Sequence, residues 1–168
     1  MHWMPPPCKC SAMCDKKPNY RACVRKKAMK VLIAEDDRDS RELLSWLLEK
    51  LGYHVVATNN GKDAWEAFRH GSFRLVISDL LMPEVDGLEL CRRIRASKTQ
   101  KYTYVILLTA LIGKKDYLEG MDAGADDFVT KPFDPDELKA RLRVAERIVA
   151  LQEPAMFDGP LTRSANSP

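Results

Sequence analysis

Long apolar runs are what this 168-residue sequence most clearly lacks. No stretch approaches the ~20 residues needed to cross a bilayer, which excludes a transmembrane helix. Cysteine is scarce outside the first segment: Cys8, Cys10, Cys14 and Cys23 cluster early, and Cys91 is the fifth. An odd count with no apolar signal-peptide core ahead of it argues against a secreted disulfide framework. Histidine is limited to three residues, and His54 and His70 fall at a strand start and a helix end rather than in a kinase-like setting. The Gly-Lys pair of "NNGKDAW" lacks the glycine-rich lead of a nucleotide-binding loop. No internal repeat is visible.

An excess of one charge is missing too, but the +3 net charge hides an asymmetry. Residues 1–30 carry eight Lys/Arg against Asp15, which leaves 31–168 mildly acidic, with 19 basic and 23 acidic residues. The basic pI therefore reflects an arm and is not a nucleic-acid signal. That arm, residues 1–29, holds Pro5-Pro6-Pro7 and no helical or strand period, and reads as a disordered segment. Its C-x-C-x₃-C-x₈-C spacing leaves a structural zinc ion as a minor alternative, since it matches no paired C-x₂-C pattern. Met29 stands directly before the first strand, so an over-extended reading frame is an alternative account of residues 1–28. After Leu151 the three prolines of "EPAMFDGPLTRSANSP" mark residues 153–168 as a disordered tail.

What is present between them, residues 30–152, is one ordinary domain. Apolar runs at Val31–Ala34, Val55–Ala57, Leu75–Ile77, Val105–Leu108 and Phe128-Val129 are continuous rather than alternating. Such runs predict strands buried on both faces, hence a parallel sheet covered by helices. Between the runs lie helical patterns. "RDSRELLSWLLEKLGY" gathers Leu43, Leu44, Leu47, Leu48 and Leu51 on one side and stops at Gly52. "GKDAWEAFRHG", "DGLELCRRIRAS" and "KKDYLEGMDAGA" follow. The fifth, "DPDELKARLRVAERIVALQ", opens on a carboxylate cap and spaces Leu138, Leu142, Ala145 and Val149 at helical intervals. Strict alternation of five strands with five helices predicts an α/β, doubly wound domain. Trp46 and Trp65 read as helix-face packing residues, and Cys91 as a small core residue.

Open parallel sheets bind ligands beyond the carboxyl ends of their strands. The polar residues obey that rule. The first strand ends in Glu35-Asp36-Asp37, the third in Asp79, the fourth in Thr109 and the fifth in Lys131-Pro132. Several carboxylates on one edge repel one another and need a cation, and an all-oxygen set suits Mg²⁺. An ammonium and a hydroxyl beside such a site suit the oxygens of a phosphoryl group in transfer. A carboxylate kept ionised there can serve as the nucleophile. Asp37 reads as a solvated neighbour or a cap for the first helix rather than a metal ligand.

"LIAEDD", "ISDLLMPEVDG", "LLTA" and "DDFVTKPF", in this order and spacing, closely resemble the receiver domain of bacterial two-component response regulators. The resemblance covers Lys30 to Leu151. It implies a flavodoxin-like sheet of order 2-1-3-4-5 that brings Asp36, Asp79 and Thr109 together. By resemblance Asp79 is the phosphoacceptor and Glu35 and Asp36 form the acidic pocket. Asp36, Asp79 and the Leu81 backbone carbonyl would hold Mg²⁺ directly, and Glu35 through water. Thr109 and Lys131 would bind the phosphoryl group, Phe128 would be the aromatic switch, and the Lys131-Pro132 bond would be cis.

The expected partners are a histidine kinase or phosphotransfer protein and a downstream protein on the face of the fourth helix, fifth strand and fifth helix. No direct nucleic-acid contact is expected, dimerisation is left open, and the location expected is cytoplasmic. No independent enzymatic substrate is expected beyond self-catalysed phosphotransfer and dephosphorylation. The chain reads as a stand-alone receiver. Its rivals are a phosphorylation-independent interaction module, or the remnant of a multidomain regulator such as a diguanylate cyclase. A hydrolase of the aspartyl-phosphate type is disfavoured because no cap domain for substrate is visible. One departure from the family stands out: Leu81 and Leu111 occupy positions two after Asp79 and Thr109, where polar or acidic residues position the hydrolytic water.

Overall fold

The computed structural model describes residues 29–97, 101–110 and 113–152. The arm with its four cysteines, Leu111, and residues 153–168 lie outside these, so the expectations placed on them do too. Strands and helices alternate throughout: β1 (Lys30–Ala34), α1 (Arg38–Lys50), β2 (His54–Thr58), α2 (Gly61–His70), β3 (Leu75–Asp79), α3 (Gly87–Ala96), β4 (Tyr104–Thr109), α4 (Lys114–Asp122), β5 (Asp127–Thr130) and α5 (Pro135–Leu151). The strands form one parallel sheet of order β2-β1-β3-β4-β5, the order that the resemblance implies.

Each continuous apolar run feeds two cores, because successive strand residues point to opposite faces. Leu32, Ala34, Val76, Val105 and Leu107 pack on one face with Ala64, Phe68, Leu90, Cys91 and Ile94 of α2 and α3. Val31, Ile33, Leu75, Ile77, Ile106 and Leu108 pack on the other with Leu44 and Leu48 of α1 and the α5 stripe. That stripe is the predicted one: Leu138, Leu142, Ala145 and Val149 are all buried. Burying each such Leu, Ile or Val contributes about 1.5–3 kcal/mol. The run at β2 differs. It lies at the sheet edge and is only partly covered, with His54 and Ala57 exposed.

The helix starts are set by local chemistry. The carboxylate of Asp37 accepts from the Ser40 N–H at 2.8 Å. Asn60, Asp86 and Asp134 cap α2, α3 and α5 in the same way. Each satisfies an N–H that the first helical turn leaves without a partner. Gly52 and Gly124, at φ 89° and 93°, turn the chain out of α1 and α4.

Two packing expectations are corrected. The leucines of α1 do not share one buried side: Leu44 and Leu48 are fully buried, whereas Leu43 is 55% exposed. Adjacent helical residues are ~100° apart, and a helix over an edge strand has too little sheet beneath it to cover that width. For the same reason Trp46 is half exposed, with the Lys50 ammonium 3.7 Å above its ring. Trp65 does pack against the core, stacked on Phe68 at 5.9 Å.

Candidate functional site: an acidic pocket at the carboxyl edge

Sheet order decides which strand ends meet. β1, β3 and β4 are neighbours, and Ala34 pairs with Ser78 while Asp79 pairs with Leu108. Glu35 and Asp36 therefore leave β1 beside Asp79, and Thr109 follows one position beyond Asp79's partner. β5 flanks β4, with Thr109 opposite Thr130, which delivers Lys131 to the same edge. The Lys131 N–H donates to the Thr109 carbonyl at 2.7 Å, and the Lys131-Pro132 bond is cis, as expected.

The side chains converge as well. The Lys131 ammonium lies 2.6 Å from Glu35 Oε2 and 2.5 Å from Asp79 Oδ2. Asp79 Oδ1 accepts from the Leu81 N–H at 3.3 Å. Glu35, Asp36 and Asp79 each bring a carboxylate oxygen within 4.8 Å of the others. Their environments differ: the Glu35 side chain is fully buried, that of Asp79 is 13% exposed, and Asp36 is open to solvent.

Burial raises the Glu35 carboxyl above its ordinary value and the Asp79 charge adds to this, against the pull of Lys131. For Lys131 burial acts downward, but its hydrogen bonds to Asp79 and Glu35 outweigh that and raise it. The lysine thus stays charged and pairs with two of the three clustered carboxylates, Glu35 and Asp79. That surplus of hard oxygen ligands on one open edge fits a small divalent cation such as Mg²⁺. Asp36 and Asp79 would hold it, with the Leu81 carbonyl expected as a further ligand and Glu35 behind.

The remaining predicted residues fall as follows. Thr109 is buried at the end of β4. Phe128 is buried with its ring turned inward, 5.0 Å from that of Tyr117. Leu81 stands 75% exposed beside the pocket. Asp37 is the α1 cap and takes no part in the acidic cluster.

Sequence reasoning missed three supports. Arg41 donates from Nη1 to the carbonyls of Glu35 and Asp36 at 2.7 and 3.1 Å. The buried Ser78 hydroxyl donates to the Asp79 carbonyl at 2.9 Å. Gly87 lies so close to that carbonyl that a Cβ would stand 2.2 Å from its oxygen, so the Asp-Gly of the turn serves approach as well as capping. An arginine in the first turn after an acidic pair was the one available signal.

Comparison with known proteins agrees with this geometry. Residues 31–143 match the response regulator receiver domain family. The uncharacterized transcriptional regulatory protein YkoG of Bacillus subtilis is 44% identical over 117 residues, 70% of this chain and 50% of that protein. The transcriptional regulatory protein TcrA of Mycobacterium tuberculosis is 37% identical over 138 residues, 82% of this chain and 54% of that one. The chain thus spans about half the length of these curated relatives. Among solved structures, the chemotaxis response regulator CheY4 of Vibrio cholerae superposes with a TM-score of 0.67 at 30% identity, covering 70% of this chain and 98% of that one.

Proposed function

This chain belongs to the response regulator receiver family, and from that premise we propose that Asp79 accepts a phosphoryl group from a phosphohistidine on a histidine kinase or phosphotransfer protein. A carboxylate oxygen of Asp79 bonds to phosphorus as the bond from phosphorus to the donor imidazole breaks. The electron pair leaves with that nitrogen, which takes up a proton. Lys131 neutralises Asp79 before transfer and is placed to meet a phosphoryl oxygen afterwards, with the Thr109 hydroxyl the second such group. A bound Mg²⁺ would supply charge neutralisation for the phosphoryl oxygens. The observation that carries this reading is the single ammonium bridging Asp79 and Glu35 inside a triad of carboxylates.

The domain needs no substrate of its own: the chemistry is phosphotransfer onto itself and hydrolysis from itself. Output is read as a conformational change on the α4–β5–α5 face. There Phe128 lies under Tyr117, and Tyr117, Leu118 and Met121 leave apolar surface exposed. Among the described residues no helix is long and apolar enough to cross a membrane.

Incubation with acetyl phosphate and Mg²⁺, followed by intact mass, tests the reading. One phosphate adduct is expected on the parent and none on Asp79→Ala. A folded parent that takes no adduct would favour a phosphorylation-independent interaction module. The leucines at 81 and 111 lead to a second expectation: with no polar side chain at either position to hold the attacking water, the adduct should persist for minutes or longer. Decay within seconds in the purified protein would remove that role from the leucines.

A further inference from the structure

We propose that Arg41 is a positioning residue for the cation-binding limb of the site, an assignment that rests on the phosphoacceptor reading above. Its place follows from the end of β1. The Glu35 N–H still donates to the Thr58 carbonyl of β2 at 3.1 Å. Beyond it the strand pairing stops, yet two carboxylates must be presented from this turn. Nη1 of Arg41 reaches back from the first turn of α1 and donates to both carbonyls of the acidic pair, 2.7 Å to Glu35 and 3.1 Å to Asp36. Two further bonds close the turn. The Asp37 N–H donates to Glu35 Oε1 at 3.3 Å, and the Arg41 N–H donates to the Asp37 carbonyl at 3.0 Å. Arg41 is thus fastened to the helix by its backbone and to the acidic turn by its side chain.

The consequence falls on Asp36. Glu35 is locked by burial and by Lys131, and Asp79 by Lys131 and the Leu81 amide. Asp36 is exposed, and no bond to its carboxylate is seen among the described residues. Only its backbone fixes where that carboxylate points, and Arg41 holds the carbonyl of that backbone. The guanidinium also supplies a charged donor to two carbonyl oxygens of the turn that carries the acidic pair.

Charge and position make opposite demands, which renders the assignment testable. As a positive charge near the pocket, Arg41 repels a divalent cation, so removing it should tighten binding. As a clamp it pre-orients a ligand, so removing it should weaken binding. Mg²⁺ would be titrated by calorimetry into the parent, Arg41→Met and Arg41→Lys, with melting curves alongside. Amide hydrogen exchange at Glu35 and Asp37 would be followed without metal. In Arg41→Met the dissociation constant should rise about tenfold or more, as when a group supporting a metal ligand is lost. Arg41→Lys should recover part of that, since it keeps one donor. Exchange at the two amides should quicken in the methionine variant while the amides of Leu44 and Leu48 keep their protection.

Tighter or unchanged Mg²⁺ binding in Arg41→Met overturns the proposal, as does unchanged exchange at Glu35 and Asp37. A lower melting temperature with unchanged affinity would reduce Arg41 to a stabilising contact and overturns it equally. A parent that binds no Mg²⁺ counts against the cation-dependent reading itself, and the exchange measurement still decides whether Arg41 holds the turn.

Discussion

At the residue scale the site is over-supplied with negative charge: Glu35, Asp36 and Asp79 crowd together, and Lys131 pairs with Glu35 and Asp79 alone among them. Such crowding is what a cation-binding, phosphoryl-accepting pocket requires, and in the metal-free fold it is a liability. Asp79→Asn should therefore stabilise the protein in the absence of divalent cations, by about 0.5–2 kcal/mol, the usual return from relieving a functional site. The asparagine keeps an oxygen for Lys131 to donate to. Urea unfolding in chelator checks it. A lowered midpoint would mean that the 2.5 Å bond from Lys131 to Asp79 outweighs the repulsion between Asp79 and Glu35.

At the element scale α4 is the outlier. Among the described helices it alone starts without a side-chain cap, and its last turn carries Gly120, where a glycine costs up to about 1 kcal/mol relative to alanine. The cost has a visible cause. A Cβ at 120 would lie 2.3 Å from Cζ of Phe128 and 2.7 Å from its Cε1. The glycine makes room for the inward ring, which is walled in by Leu107 and Tyr117. Gly120→Ala should gain helix propensity and lose more by overpacking, which typically costs about 1–3 kcal/mol. Thermal unfolding should show a net loss, and the Phe128 ring should turn toward solvent. A gain in stability with the ring still buried would show that α4 can shift away from the sheet at little cost.

For the whole molecule the buried titratable groups lean one way. Burial raises the phenols of Tyr53, Tyr102 and Tyr104, with neighbouring carboxylates adding to it, Tyr102 to about 12. Burial also takes the Cys91 thiol to about 11, and Lys131 is held above its ordinary value by its two carboxylate partners. The sign is the same for each: a folded value above the unfolded one gives stability that is complete below the unfolded value and lost as pH climbs through the folded one. The fold should thus weaken steeply from pH 9 toward 12. Tyr102→Phe, which removes the hydrogen bond to Asp126, should lower stability at neutral pH and flatten that alkaline limb. Denaturant midpoints against pH test both, and a stability curve level to pH 11 or so would contradict them.

The sequence by itself determined the element order, the parallel sheet and the helix boundaries. These rest on signals that act over a few residues: continuous apolar runs, the spacing of Leu138, Leu142, Ala145 and Val149, and caps such as Asp37 and Asp134. Its family motifs also placed Glu35, Asp36, Asp79, Thr109 and Lys131 at one edge. Tertiary structure alone decided how they meet. That Lys131 bridges Asp79 and Glu35 depends on strand order and register, which join residues far apart in the chain, whereas the Arg41 clamp on the acidic turn and the room that Gly120 leaves for Phe128 depend on how a helix folds back beside the neighbouring strand. It also decided that Leu43 and Trp46 face solvent. Periodicity tells which side of a helix is apolar; how much of that side is covered depends on the width of sheet beneath it, and α1 lies on the edge.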